Sequence, residues 1–92
     1  MPSEVSAKEG YLVRYVYLLE SQALSVQRYV GVTSDLKQRL AEHNAGKSPH
    51  TSKYVPWRLV TYVAFSDREK AAVFERYLKS GSGHAFARKR LW

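Results

Sequence analysis

The sequence predicts an α+β fold in which a small three-stranded antiparallel sheet is flanked by helices. Three stretches rich in aromatic and β-branched residues, at 11–20, 29–33 and 57–65, have the pattern of strands. An amphipathic stretch with helical spacing follows the second strand, and another follows the third. The predicted order is therefore β-β-α-β-α, and a short helix can form in the basic tail.

The first predicted strand, Tyr11 to Glu20, is mostly apolar on both faces. A strand of this kind is usually covered on both sides, so we expect it to lie at or near the centre of the sheet. A loop at residues 20–27 then leads back into the second strand. The third strand, at residues 57–65, alternates in the way that a half-buried strand does.

The helices have recognisable start and stop signals. Ser34 is a good N-cap for a first helix, which we expect to end at Asn44 before Gly46. Residues 66–69 have the pattern of a capping box, which predicts a second helix through Leu78 with a stop at Gly81.

Ninety-two residues are enough for one small domain with one modest core. We expect residues 1–10 to be a loose leader, residues 11–83 to form the domain, and residues 84–92 to be a basic C-terminal tail. The net charge of +7 is large for this length, and it favours polyanions, with nucleic acid first. Acidic proteins or an anionic lipid surface are the other candidates.

The composition also excludes several classes of protein. There is no cysteine, which rules out a disulfide framework and every zinc site with thiolate ligands. No apolar run approaches the roughly 20 residues that span a bilayer, and the N-terminus lacks the hydrophobic segment of a secretory signal. We therefore expect a cytoplasmic protein with no membrane partner.

Polar residues occupy positions where a core should be apolar. Arg39 and His43 lie on the leucine stripe of the first helix, and Glu75 borders the apolar stripe of the second. An inward guanidinium costs free energy unless it meets an anion, either a carboxylate of the same chain or the phosphate of a ligand. Two interpretations follow: a core salt bridge between Arg39 and Glu75 beside ordinary core tyrosines, or one convergent phosphate site.

The spacing of the tyrosines resembles a known family. The triplets at 15–17 and 29–31 place Tyr17 and Tyr29 twelve residues apart, and Arg39 follows the second triplet by eight residues. With His43 one turn later and Glu75 in the second helix, this pattern resembles the GIY-YIG nuclease domain over roughly residues 11–83. The resemblance implies the three-stranded fold and a metal-dependent hydrolysis of nucleic-acid phosphodiesters.

The resemblance also implies roles for these residues. Arg39 would hold a phosphate oxygen, and Glu75 would ligate one Mg²⁺ or Mn²⁺ ion. Tyr29 is our choice for the general base, positioned by or sharing protons with His43, and Tyr17 would orient the water or the phosphate. The residues leave open whether Tyr29 or His43 takes the proton.

The loop before the third strand is basic and contains aromatic residues. We expect Lys47, Lys53 and Arg58 to follow the phosphates of a nucleic acid, and Tyr54 and Trp57 to be available for stacking. The residues 88–90 could extend this surface. The alternative is a solvated charged surface with Trp57 in the core.

The first functional hypothesis is an endonuclease that cuts DNA, with single-stranded or branched DNA favoured because a small domain has little means to read sequence. Its target would be set by DNA structure or by a partner protein. The second hypothesis is a nucleic-acid-binding module of the same fold that does not cut. The third is a basic protein that docks on acidic partners or lipid.

Overall fold

A computed structural model describes residues 13–92, so the predicted leader, Tyr11 and Leu12 lie outside the described residues. Three strands, β1 (Arg14–Ser21), β2 (Arg28–Thr33) and β3 (Trp57–Phe65), form one antiparallel sheet in the order β2-β1-β3. The predicted fold class and the central position of the first strand are confirmed.

The helices are α1 (Leu36–Asn44), α2 (Arg68–Leu78) and α3 (Gly81–Arg90), and a short 3-10 turn covers Ser52–Tyr54. The predicted N-caps were wrong by one residue, because Asp35 and Asp67 cap α1 and α2. Each aspartate accepts hydrogen bonds from backbone N–H groups in the first turn of its helix, which satisfies donors that the helix leaves unpaired.

The central strand β1 separates two buried clusters. Val16 and Leu18 point to one face, where they pack with Ala71 of α2 and Ala87 of α3. Tyr17 and Leu19 point to the other face, towards Trp57 and the leucines of α1. The expectation of one modest core was therefore too simple, since a strand that is apolar on both faces builds a core on each side.

The C-terminal segment packs against the rest of the fold. The helix α3 begins at Gly81, which was predicted to stop the preceding helix, and Ser80 caps it with a hydrogen bond from the Gly83 N–H. It crosses the expected boundary between residues 83 and 84, and its Ala87 is buried. After the helix, the Leu91 carbonyl accepts a hydrogen bond from the Thr61 hydroxyl of β3.

Between residues 13 and 92, none of the helices is long and apolar enough to cross a membrane.

Candidate active site

A buried hydrogen-bond network joins β1, α1 and the loop after α1. The Tyr17 hydroxyl is hydrogen-bonded to Nε2 of His43 at 2.9 Å, and Nδ1 of the same ring is 2.8 Å from Oγ1 of Thr51. Nε of Arg39 also donates to the Tyr17 hydroxyl at 3.4 Å. Tyr17 and His43 are each 1% exposed. The network thus holds a phenol, an imidazole and a guanidinium in fixed positions.

Gly31 makes room for this network. It lies opposite Tyr17 in the pairing of β1 with β2, and the tyrosine side chain crosses over it. A Cβ atom at Gly31 would lie 2.5 Å from the Tyr17 hydroxyl oxygen, a distance that real Cβ atoms essentially never show. The glycine is therefore required by close approach, and any side chain there would displace the phenol.

Tyr29 extends the network to the edge of the sheet. Its ring centroid lies 6.2 Å from that of Tyr17 and 5.0 Å from that of His43, with the histidine in an edge-on arrangement. Tyr29 is half-buried and lies on the edge strand β2, where it lines a pocket of about 390 Å³ together with Lys79 at the end of α2. The ring of Tyr29 therefore lies with the buried network, and the residue also borders an open pocket at the edge of the sheet.

Arg39 lies at the rim of the network, and the predicted inward position is only partly correct. Its Nε reaches Tyr17, but the side chain is 44% exposed and its Nη1 pairs with Glu42 at 3.2 Å. A long side chain can place one nitrogen inside and leave the others near solvent. The free side of the guanidinium faces a pocket of about 190 Å³ that Glu42 and Lys47 also line.

The surroundings set the protonation states of the network. Burial raises the pKa of Tyr17, although the hydrogen bond from Arg39 opposes this, so Tyr17 is protonated at neutral pH. Burial and the charge of Arg39 lower the pKa of His43, against the attraction of Glu42, so the imidazole is neutral. Hydrogen bonds to Tyr17 and Glu42 raise the pKa of Arg39.

Glu75 is placed apart from this network. It lies on α2, whose buried residues Ala71 and Leu78 pack on the opposite face of the sheet from Tyr17. Its carboxylate is 17% exposed and pairs with Lys79. Among residues 13–92 no hydrogen bond or ion pair connects it to the tyrosine network, and the salt bridge to Arg39 proposed as one interpretation is wrong. Lys79 lines the same pocket as Tyr29. Glu75 does not line that pocket, but its ion-pair partner does.

The donor set around Glu75 fits only one kind of metal site. Within the described part of the chain, no three His, Cys, Asp or Glu side chains come together in a way that could hold an ion. A single carboxylate is compatible with Mg²⁺ or Mn²⁺, since Mg²⁺ commonly keeps several waters and takes other oxygens from a substrate phosphate. It does not fit a metal that needs several protein ligands.

The residues of the predicted nucleic-acid surface lie in different surroundings in the structure. Lys47 lines the small pocket beside Arg39, and Lys53 is exposed in the 3-10 turn. Arg58 pairs with Glu20 at 2.9 Å. Tyr54 is half-buried with its ring edge-on to Trp57, 6.4 Å between centroids.

Trp57 belongs to the core, so its predicted availability for stacking was wrong. It is 4% exposed, and its indole N–H donates to the Thr51 carbonyl at 2.9 Å. The Asn44 side chain holds the Trp57 backbone from both sides, accepting from its N–H and donating to its carbonyl. Because the indole is buried against α1 and the loop, its surface is not accessible for stacking with a ligand.

Sequence reasoning missed two members of the network. Glu42 lies three residues after Arg39 on the same helix, and this spacing was enough to predict the pair. Thr51 lies in an irregular loop eight residues after His43, and no pattern in the sequence indicates its contact with the imidazole.

Comparison with known proteins places this geometry in a family. The GIY-YIG catalytic domain matches residues 13–89. UPF0213 proteins of Streptococcus pyogenes serotype M5 (strain Manfredo) and serotype M1 are each 41% identical over 66 residues, which cover 71% of this chain and 70% of theirs. The solution NMR structure of a UPF0213 protein of Bacillus halodurans matches with a TM-score of 0.52 and 31% identity, covering 84% of this chain and 83% of that one. The paired tyrosines, the glycine beneath Tyr17 and the helix arginine thus occur in a chain that belongs to the GIY-YIG domain family.

Proposed function

We propose that this protein is an endonuclease that hydrolyses phosphodiester bonds of DNA with the help of one Mg²⁺ or Mn²⁺ ion. Membership of the GIY-YIG family supports a nuclease. The observation that carries the proposal is the network of Tyr17, His43 and Arg39, with Tyr29 beside it at an open pocket. A structural core has no need of so many polar groups in one place.

Arg39 binds the scissile phosphate in this proposal. Its Nε is fixed by Tyr17 and one Nη by Glu42, while the half-exposed side chain faces the small pocket. A charged, preoriented guanidinium stabilises the negative charge that develops on the phosphoryl oxygens. Lys47 lies in the same pocket and adds a second positive charge.

Tyr29 accepts a proton from the attacking water. His43 is the alternative base, but it is buried and both of its ring nitrogens are engaged, so it can act only through Tyr17. Tyr17 remains protonated and orients the imidazole and the arginine. Tyr29 acts here as the phenolate, after its own proton has passed to solvent. The hydroxide that it generates forms a new bond to phosphorus, one P–O ester bond breaks, and the leaving oxygen takes up a proton from solvent.

Glu75 would hold the metal ion, which supplies positive charge to the phosphate and the leaving oxygen when it is bound. Glu75 pairs with Lys79, and the lysine would have to give up this contact for the carboxylate to hold an ion. The Lys79 side chain is largely exposed and flexible, so breaking this ion pair costs little free energy.

Single-stranded or branched DNA is the expected substrate. The net charge of +7 favours the phosphate backbone in general. A single small domain has little means to read sequence in the grooves, so we expect low sequence specificity. Target selection then comes from DNA structure or from a targeting partner protein.

The Glu75–Lys79 pair also favours a second candidate, a nucleic-acid-binding module that does not cut. If the lysine permanently neutralises the Glu75 carboxylate, that carboxylate holds no metal ion. This alternative predicts binding of DNA that is the same with and without divalent ions.

A cleavage assay separates the two candidates. Purified protein is incubated with single-stranded, duplex and branched DNA in Mg²⁺, Mn²⁺ or EDTA. We expect nicking that needs the ion and that falls at least about 100-fold in Glu75→Gln. Glu69→Gln, a loss of the same charge at the start of α2, is the matched control and should cut normally. Ion-independent binding without nicking would overturn the proposal in favour of the module.

A further inference from the structure

The pocket of about 390 Å³ that Tyr29 borders lies between the edge strand β2 and the C-terminal helix α3. Arg28, Tyr29 and Val30 line it from the strand, and His84, Ala87 and Arg88 line it from the helix. Leu78 and Lys79 close it from the end of α2, and Trp92 lies on its remaining side. Its volume of about 390 Å³ is within the range of small-molecule sites and can accommodate one nucleotide.

The aromatic side of the pocket is held in place by the fold. The backbone N–H of Trp92 donates to the Ala87 carbonyl at 2.9 Å, and the Trp92 side chain packs on the cluster around Val16 and Leu18. The guanidinium of Arg28 lies over the indole ring, 4.6 Å from its centroid. Indole and guanidinium planes are both surfaces on which nucleic-acid bases stack.

The charge of the pocket is positive. Arg28, Lys79 and Arg88 line it, and no aspartate or glutamate of residues 13–92 does. Two of these cations have ion-pair partners: Arg28 pairs with Glu20 at 3.5 Å, and Lys79 pairs with Glu75. Arg88 has no ion-pair partner among residues 13–92. Neighbouring Lys89 and Arg90 do not line the pocket, so Arg88 is the cation of this helix turn that is placed for a ligand.

We infer that this pocket binds one unpaired nucleotide of a DNA strand, with its base stacked on Trp92 and Arg28 and its phosphate bound by Arg88. The inference rests on the proposed function and specifies its substrate, since Tyr29 lines the same pocket. A strand that enters here runs along the edge strand that carries Tyr29, the proposed base. A paired nucleotide has both faces of its base covered by neighbours, so the pocket selects single-stranded ends, flaps or gaps.

Binding in EDTA tests this inference without any need for cleavage. The probes are a fluorescein-labelled oligothymidylate of about eight nucleotides and an abasic oligomer of the same length, which has the phosphates but no bases. We expect the wild-type protein to bind the oligothymidylate about tenfold more tightly than the abasic oligomer. In Trp92→Ala this ratio should fall to near one, and in Trp92→Phe most of it should be retained.

Charge variants test the phosphate contact. Arg88→Ala should weaken binding of both oligomers several-fold and reduce the slope of log K against log salt by about 0.7. Arg90→Ala removes the same charge from the same helix outside the pocket and should leave the slope unchanged. Melting temperatures of all variants, measured by circular dichroism, show that they are folded; for an unfolded Trp92→Ala, Trp92→Leu replaces it.

The outcomes for the pocket and for the nuclease are distinguishable. An unchanged base-to-abasic ratio in folded Trp92→Ala or Trp92→Leu, or equal effects of Arg88→Ala and Arg90→Ala, overturns the inference even if the protein cuts DNA. Selective loss in the pocket variants supports the inference even if no metal-dependent nicking is found.

Discussion

The Tyr17 hydroxyl is the atom on which the site depends most. It has two polar neighbours, Nε2 of His43 and Nε of Arg39, and it lies against Gly31. The neutral imidazole has one N–H and one lone pair, so a donor bond from Nδ1 to Thr51 leaves Nε2 free to accept from Tyr17. Loss of Tyr17 or of Thr51 leaves one ring nitrogen of the buried His43 unpaired, which costs about 1–3 kcal/mol.

Gly31→Ala should abolish the proposed cleavage activity without unfolding the protein. The added methyl would collide with the Tyr17 hydroxyl, which must then move away from His43. We expect cleavage to fall at least about 100-fold. Overpacking should reduce the free energy of unfolding by about 1–3 kcal/mol. The matched control is Gly81→Ala, whose methyl meets no atom within 4 Å and should leave cleavage unchanged. Full activity of Gly31→Ala would contradict the role given to Tyr17.

The lowered pKa of His43 makes stability depend on pH in the acid range. In the unfolded chain the histidine gains a proton near pH 6.5, and in the folded protein it does so only at lower pH. The unfolded state therefore binds more protons as the pH falls below about 6.5, and the free energy of unfolding decreases until the folded pKa is passed.

Urea unfolding from pH 8 to pH 5 measures this effect. The wild-type protein should lose stability on the acid side, and His43→Gln should lose less over the same interval. His84→Gln is the control, and its pH dependence should match that of the wild type. Parallel curves for His43→Gln and wild type would show that the buried imidazole is not the group that titrates.

Sequence alone predicted Tyr17, Tyr29, Arg39 and His43 as site residues but not which of them contact one another. Tyr17 and His43 are 26 residues apart, and helix and strand periodicity gives the side of each element but not its neighbour across the core. His43 was therefore placed with Tyr29, whereas its hydrogen bond is to Tyr17. For the same reason Glu75 was placed in one cluster with Arg39, although its helix packs on the opposite face of the sheet.

At the scale of the elements, the hydrophobic pattern of the sequence predicts where strands and helices lie. The first residue of a helix is harder to predict, because two adjacent residues can each serve as the N-cap. Both Ser34-Asp35 and Ser66-Asp67 offer two candidates in succession, and the aspartate is used in each case. Both residues cap helices well, so composition does not separate them. The start of α3 at Gly81 was missed because Ser-Gly-Ser-Gly has the composition of a loop. Packing of Ala87 on the core stabilises that helix despite its two glycines.

Two alanine variants at the start of α2 test the cap assignment. The Asp67 side chain accepts from two backbone N–H groups, so Asp67→Ala should lower the free energy of unfolding by about 1 kcal/mol. Ser66→Ala should change it by less than about 0.5 kcal/mol, because the exposed serine is not the cap. Chemical denaturation with a common slope measures both. Equal effects would mean that the helix begins one residue earlier.

At the scale of the whole molecule, β1 is the element shared by both buried clusters. Its even-numbered residues Val16 and Leu18 pack against α2 and α3, and Tyr17 and Leu19 pack against α1 and the following loop. The predicted two-sided strand was therefore the most informative feature of the sequence. How the C-terminal segment closes the pocket beside β2 depends on contacts 30 and more residues apart, such as Thr61 to Leu91, and has no local signature.

Leu18→Ala should destabilise the protein without altering the chemistry. Leu18 is fully buried on the face away from Tyr17, so its loss leaves a cavity and should cost about 2–5 kcal/mol. Cleavage per folded molecule, measured well below the melting temperature, should remain within about twofold of wild type. Leu24→Ala, at a half-exposed loop leucine, is the control and should have little effect on either quantity. A large loss of turnover in folded Leu18→Ala would mean that the two faces of β1 are coupled.

The position of Tyr17 between Val16 and Leu18 also determines how the protein should respond to brief heating. The phenol cannot leave its place unless the middle strand does, and that strand leaves only when the whole domain melts. Inactivation should then occur in a single sharp step, with no intermediate temperature at which an intact fold has lost its catalytic geometry. Residual nicking after a heat pulse can therefore serve as a simple readout in a search for more thermostable versions.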